Sequence, residues 1–209
     1  MILEPGNSLQ AHFGRYTGQL YVTLAALGVG VVFGILAIGT LSPWDKLSLV
    51  HDLKRLLAVE ALHPTYQAVF GPLLVTNVKL LALFYVLGVS VAGVPLVLLL
   101  MAFRGFVLGF AAAFLVTSFK WQGVSVGLAT IGLANVFLLP ALVLSAAVAL
   151  GFSWDLVSPK TRQAAPRLGK SFAFFTGLVA TMGAVTLVGT ALEAYATPFL
   201  LHVLSPWGI

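Results

Sequence analysis

Phe70–Trp154 reads FGPLLVTNVKLLALFYVLGVSVAGVPLVLLLMAFRGFVLGFAAAFLVTSFKWQGVSVGLATIGLANVFLLPALVLSAAVALGFSW, a series of long apolar runs broken by a few polar residues. Two of the runs, 73–87 and 96–119, flank Gly88-Val89-Ser90-Val91-Ala92-Gly93-Val94-Pro95, a connection without a single charge. Such a connection predicts a tight helical hairpin whose turn stays close to the membrane. Lys120-Trp121-Gln122-Gly123 then marks an interface, with Trp in the position favoured for headgroup contact. A further span is expected over 124–152, longer than a bilayer requires and interrupted by Pro140, so tilt or a kink should follow.

Outward from this stretch the same solvent is written. Residues 20–41 hold no charge and carry Gly28, Gly30, Gly34 and Gly39, enough chain to cross about 30 Å of hydrocarbon. Ser42, Pro43 and Asp45 then make a capping box of the Asp variety, so a new helix should start at once. Leu47, Val50, Leu53 and Leu57 repeat at three- and four-residue spacing among Lys46, Asp52, Lys54, Arg55 and Glu60, which predicts an amphipathic helix over 43–62, packed on the protein or lying in the interface. Trp154–Lys170, with Asp155, Lys160, Arg162, Arg167 and Lys170 and two prolines, reads as a loop. A last span is expected over 172–192, ended by Glu193-Ala194-Tyr195 before a short apolar tail.

Composition bounds the class. The 209 residues are 60% hydrophobic and 8% charged, with a mean hydropathy of +1.05, whereas soluble domains are roughly half apolar and one quarter charged. The expected architecture is all-α: one integral membrane domain over 1–209, a polytopic helical bundle of about five spans plus the amphipathic helix after the first. Little chain is left for a soluble catalytic domain. The absence of Cys excludes disulfides, thiolate metal sites and a Cys nucleophile. A formal charge of +5 does not point to nucleic acid, because the basic residues sit in short clusters between apolar runs, where orientation and anionic headgroups account for them. The Glu4-Pro5 start lacks a basic n-region, so the first run is expected to be an uncleaved anchor and not a signal peptide. With five spans, a cytoplasmic N-terminus places Arg15, Lys160, Arg162, Arg167 and Lys170 inside, against Lys46, Lys54, Arg55 and Lys120 outside. The compact, acid-poor inside cluster favours that orientation.

Polar residues inside the spans are the candidate assembly sites. Lys79 and Arg104 each cost about 2.5 to 3.5 kcal/mol near the centre of a span unless they snorkel, pair or face a cavity. Lys79 is expected to snorkel; Arg104, deeper, to hydrogen-bond to neighbouring helices. Asn77 and Asn135 suit interhelical hydrogen bonds. Glu193 is the acid near the end of a span and is expected to neutralise Lys79. Gly30 to Gly34, Gly105 to Gly109 and Gly123 to Gly127 have the small-xxx-small spacing that lets backbones approach closely.

Recognisable catalytic patterns are missing: no HExxH, GxSxG or GxxxxGK[ST], and His12, His51, His63 and His202 are dispersed. The expectation is a protein that is not an enzyme and needs no cofactor or metal.

Several segments together resemble the stage II sporulation protein M family: Thr76-Asn77-Val78-Lys79-Leu80; Leu87-Gly88 with Gly93-Val94-Pro95; Phe103-Arg104-Gly105-Phe106-Val107-Leu108-Gly109-Phe110; Trp121-Gln122-Gly123; Asn135-Val136-Phe137-Leu138-Leu139-Pro140; and Leu192-Glu193-Ala194-Tyr195 followed by Pro198. Broader relatives often have Asn-Gly in place of Arg104-Gly105, and a His-Gly…Glu-x-Pro pattern in place of Ala134-Asn135…Leu138-Leu139-Pro140. Both departures resemble the sporulation members proper. The resemblance implies a noncatalytic scaffold in the cell membrane, at the sporulation septum and in the mother-cell membrane that engulfs the forespore. The implied partners are the peptidoglycan hydrolases named stage II sporulation proteins D and P. Membrane lipids and a second copy of the chain are further candidate partners. Leu53 and Leu57 on the amphipathic helix and the tail after Pro198 are the candidate contact surfaces. The competing reading is a transporter or permease subunit that uses the buried polar residues. Intramembrane hydrolysis lacks a nucleophile and base at recognisable spacing.

Overall fold

The computed structural model describes the backbone of residues 5–62, 66–127, 132–157 and 165–204, and side chains at 16–52, 55, 70–120, 124, 127, 132, 135–157, 169 and 171–195. These residues form α1 (Pro5–Thr40), α2 (Pro43–Leu62), α3 (Tyr66–Val89), α4 (Gly93–Gly127), α5 (Leu133–Val157) and α6 (Ala165–Leu204), with no strand among them. Five stretches are long and apolar enough to cross a membrane: Tyr16–Thr40, Phe70–Val89, Gly93–Lys120, Asn135–Val157 and Ser171–Tyr195. The fold is the all-α polytopic bundle expected, with the amphipathic segment as α2. It is a multi-pass membrane protein.

Helix α5 is the axis. In its most apolar window 72% of the residues are buried, against 22% in each of the other four spans, and it packs on α1, α3, α4 and α6. Its sequence explains the position. Ala141, Ser145, Ala146, Ala147, Ala149 and Gly151 keep the helix thin, so four neighbours can close around it, with Leu138, Leu142, Leu150 and Phe152 as its larger buried residues. Phe84, Val97, Met101 and Phe175 fill the space between, each fully buried. The Phe175 ring is stacked on Tyr85 and on Phe152, with centroids 5.2 Å away in both cases. Lipid tails are as apolar as these side chains, so close packing and interhelical hydrogen bonds hold such a bundle, more than transfer from water does.

The α1–α4 pair is the most extensive in the bundle, and its cause is reciprocal. A Cβ added at Gly30 or Gly34 of α1 would fall on the backbone of Ala102 or Phe106 in α4; one added at Gly105 or Gly109 of α4 would fall on Leu27 or Val31 in α1. Two of the three small-xxx-small pairs thus face each other. Of the third, Gly127 meets only the Leu115 side chain, and Gly123 lies outside the described side chains.

The predicted hairpin is present. Ser90 and Gly93 close it through Ser90 N–H to Leu87 C=O and Gly93 N–H to Ser90 C=O, both 3.0 Å. The Ser153 hydroxyl donates to the Ser90 carbonyl at 2.7 Å and fastens the turn to the end of α5. The capping box is present too: Asp45 N–H donates to Ser42 Oγ (3.2 Å), and Ser42 N–H and its hydroxyl donate to Asp45 Oδ2 (3.3 and 2.7 Å).

Several boundaries differ from the sequence reading. The fourth span lies on α5, which starts at Leu133 and not at 124: α4 runs on to Gly127 across a break at Lys120, whose φ of 52° and ψ of −128° are not helical. The excess length predicted for that span is therefore taken up by the end of α4 and by residues 128–131, which lie outside the described residues, while α5 runs through Pro140 without a break. The polar stretch read as a loop over 154–170 is mostly helix, since α5 extends to Val157 and α6 starts at Ala165. Helix α6 continues past Pro198 to Leu204, about 60 Å in all, where the span was expected to end at Glu193-Ala194-Tyr195 before a short apolar tail. Lys160 and Arg162, the side chains of Arg15, Arg167, Lys170, Leu53 and Leu57, and residues 205–209 lie outside what is described.

Candidate functional site: an intramembrane polar cluster

The polar residues singled out in the spans come from four helices and meet in the half of the bundle away from the Ser90 turn. Counting along α3 and α4, Asn77 and Arg104 stand about 16 to 18 Å from that turn. Asn135 lies at the start of its span and Glu193 near the end of its own, which brings them to the same half.

Arg104 is placed by its neighbour. Gly105 is pressed against the Leu27 backbone of α1, and one residue corresponds to about 100° of rotation, so Arg104 is turned off the α1 contact toward α3 and α5. There its Nη2 donates to Asn135 Oδ1 at 3.4 Å, the long end of the hydrogen-bond range. Glu193 of α6 interacts electrostatically with the same guanidinium, yet Arg104 Nε and Glu193 Oε2 are both buried without a hydrogen-bond partner. The predicted Lys79–Glu193 pair is thus corrected: Arg104 is the cation that Glu193 faces. The side of a helix on which a partner arrives is not legible in sequence, and Lys79 and Arg104 sit at similar depth, where Arg104 was expected deeper.

A second polar link lies beside the first. Asn77 Nδ2 donates to Thr190 Oγ1 at 3.0 Å, with both residues buried, and the Thr190 hydroxyl donates in turn to the Thr186 carbonyl at 2.8 Å. Thr190 and Thr186 were missed in the sequence reading. Their signal was weak, since a threonine that back-bonds to the carbonyl four residues earlier is ordinary in a membrane helix. Pro140 is exposed, and next to it Phe137 and Leu138 pack onto Gly189 of α6, 3.1 Å from Phe137 Cβ to a Cβ built there. That contact seats the end of α6 which carries Thr190 and Glu193.

Lys79 is exposed, as snorkelling requires, and makes no hydrogen bond or ion pair among the described residues. It lines a groove of about 300 Å³ between α3 and α4, together with Thr76, Leu83, Phe103, Arg104 and Val107.

The cluster's groups are a guanidinium, a carboxylate, two amides and threonine hydroxyls. Such a set joins helices. Among the described residues no group of three or more His, Cys, Asp or Glu comes together to hold a metal.

The segments that converge here are the ones that carry the family resemblance. Comparison of the chain with protein-family models matches stage II sporulation protein M over residues 22–198. The chain belongs to the stage II sporulation protein M family. The match spans α2 and nearly all of the five candidate membrane spans. Comparison with curated proteins and with solved structures gives no match. In this stage II sporulation protein M family member, Arg104, Asn135 and Glu193 form one interhelical polar group, and Asn77 with Thr190 forms a second beside it. Gly105 and Gly109 position the first through the α1 contact, and Pro140 lies beside the α5–α6 contact that seats its carboxylate.

Proposed function

We propose that this family member is a noncatalytic membrane scaffold of sporulation engulfment, which gathers septal peptidoglycan hydrolases while the mother-cell membrane migrates around the forespore. Beyond family membership, one observation carries the reading. Two polar links inside the bundle join helices, Arg104 to Asn135 and Asn77 to Thr190, around a densely packed α5. A bundle locked in this way offers a rigid platform. With a cytoplasmic N-terminus, α2 and the end of α6 lie outside, where wall hydrolases work. Helix α2 meets the bundle along α6 and presents Trp44 and Leu47, 82% and 67% exposed, one turn apart. This is the surface proposed to contact stage II sporulation proteins D and P, with Leu53 and Leu57 on the same helix.

Co-isolation tests the recruitment. Tagged chain drawn from membranes of sporulating cells should bring both hydrolases with it, and a variant with Leu53→Glu and Leu57→Glu at normal membrane abundance should lose them. Recovery of the chain without either hydrolase contradicts the reading.

A further inference from the structure

Lys79 and Arg104 line one groove between α3 and α4, and no carboxylate shares its walls. Arg104 donates to Asn135 and has Glu193 nearby on α6, outside the groove. Lys79 has no such neighbours among the described residues. Lys79 meets no acid or hydrogen-bond acceptor among the described residues, although it projects from the middle of an apolar span, about 13 Å from Phe70. An uncompensated ammonium at that depth is costly.

The surroundings define what could compensate it. Leu83, Phe103 and Val107 line the groove and are 41%, 64% and 41% exposed, on spans whose outer faces meet hydrocarbon. A ligand therefore enters from the bilayer with an apolar part lying along these side chains. Its polar part must bring about one negative charge and several acceptor oxygens to an ammonium and a guanidinium.

We propose that the α3–α4 groove binds the phosphate of a membrane lipid, with Lys79 and Arg104 on the phosphate oxygens and the first part of an acyl or isoprenoid chain against Leu83, Phe103 and Val107. A glycerophospholipid and a lipid-linked carrier share this chemistry. The site is independent of the scaffold role, since it concerns α3 and α4 rather than α2.

The test uses the purified full chain, delipidated in mild detergent and offered phosphatidylglycerol, a polyprenyl phosphate or phosphatidylcholine, with bound lipid counted by native mass spectrometry. One copy of phosphatidylglycerol or polyprenyl phosphate should be retained in preference to phosphatidylcholine, and whichever is retained identifies the source. Lys79→Gln should reduce that retention about fivefold, the size expected for one basic residue acting on an anionic headgroup, while Lys79→Arg preserves it. Val107→Trp fills the groove and leaves both cations in place, so it should also abolish retention and serves if Lys79→Gln fails to insert. Equal retention of phosphatidylcholine, or retention unchanged by both Lys79→Gln and Val107→Trp, overturns the proposal.

Discussion

Arg104 Nη2 on α4 donates to Asn135 Oδ1 on α5, while Glu193 on α6 acts on the same guanidinium across the bundle. Three helices distant in sequence thus share one buried charge. Removing either partner leaves a guanidinium in hydrocarbon with too few acceptors, a larger loss than the pair's net contribution. Arg104→Glu alone and Glu193→Arg alone should each sharply reduce the folded, inserted fraction, and the double exchange should recover part of it. The exchange of Lys79→Glu with Glu193→Lys should recover none. Membrane abundance and melting in detergent report both; rescue by the Lys79 exchange alone would mean Glu193 faces Lys79.

The α1–α4 contact makes a sharper prediction, because the same substitution type should differ by position. Gly34→Val or Gly105→Val puts atoms onto a neighbouring backbone and should cost about 3 kcal/mol or more, beyond the usual cost of overpacking because no flexible side chain can give way. Gly28→Ala and Gly183→Ala meet nothing within 4 Å and should be neutral or stabilise by up to about 1 kcal/mol through helix propensity. Thermal melting of the four variants in one detergent separates them.

For the second polar link, Thr190→Val removes the acceptor of the Asn77 amide and should cost about 1 kcal/mol, within the range of interhelical hydrogen bonds in membranes. Asn77→Leu added to Thr190→Val should cost less than the sum of the singles. Strict additivity in a double-mutant cycle would show that the two side chains are not coupled.

Lys120 holds a backbone conformation that L side chains adopt with strain. Lys120→Gly should raise the melting midpoint, by an amount corresponding to about 1 kcal/mol, whereas Lys120→Val should lower it. Equal midpoints for the two variants would mean that the chain does not break at this residue.

The parts of this fold that depend on near neighbours were legible in the sequence. The Ser42–Asp45 capping box, the uncharged Ser90 hairpin and the existence of five apolar spans each follow from residues within one or two turns. Helix pairing was only half legible: Gly30, Gly34, Gly105 and Gly109 announce close approach, but nothing in their spacing says that they meet one another. The fourth span was misplaced because Val124–Ile131 is as apolar as a helix interior, and hydropathy does not register a break in φ and ψ at Lys120. Likewise Glu193-Ala194-Tyr195 read as the end of the span, yet α6 continues to Leu204, through Pro198, since a bundle can satisfy the backbone group that a proline frees. Among the candidate site residues, a hydrogen bond from Arg104 to a neighbouring helix was foreseen and Asn135 accepts it, whereas Arg104 was set deeper than Lys79 although the two sit at similar depth, and Glu193 was assigned to Lys79 although it acts on Arg104.

The central claim is the engulfment role, and membrane-dye imaging of sporulating cells tests it most directly, comparing the intact strain, a deletion of this gene and the deletion with a restored copy. The account predicts that deleted cells form septa whose membranes stall flat or bulge, and that the restored copy returns migration around the forespore. Normal engulfment in the deletion would contradict it.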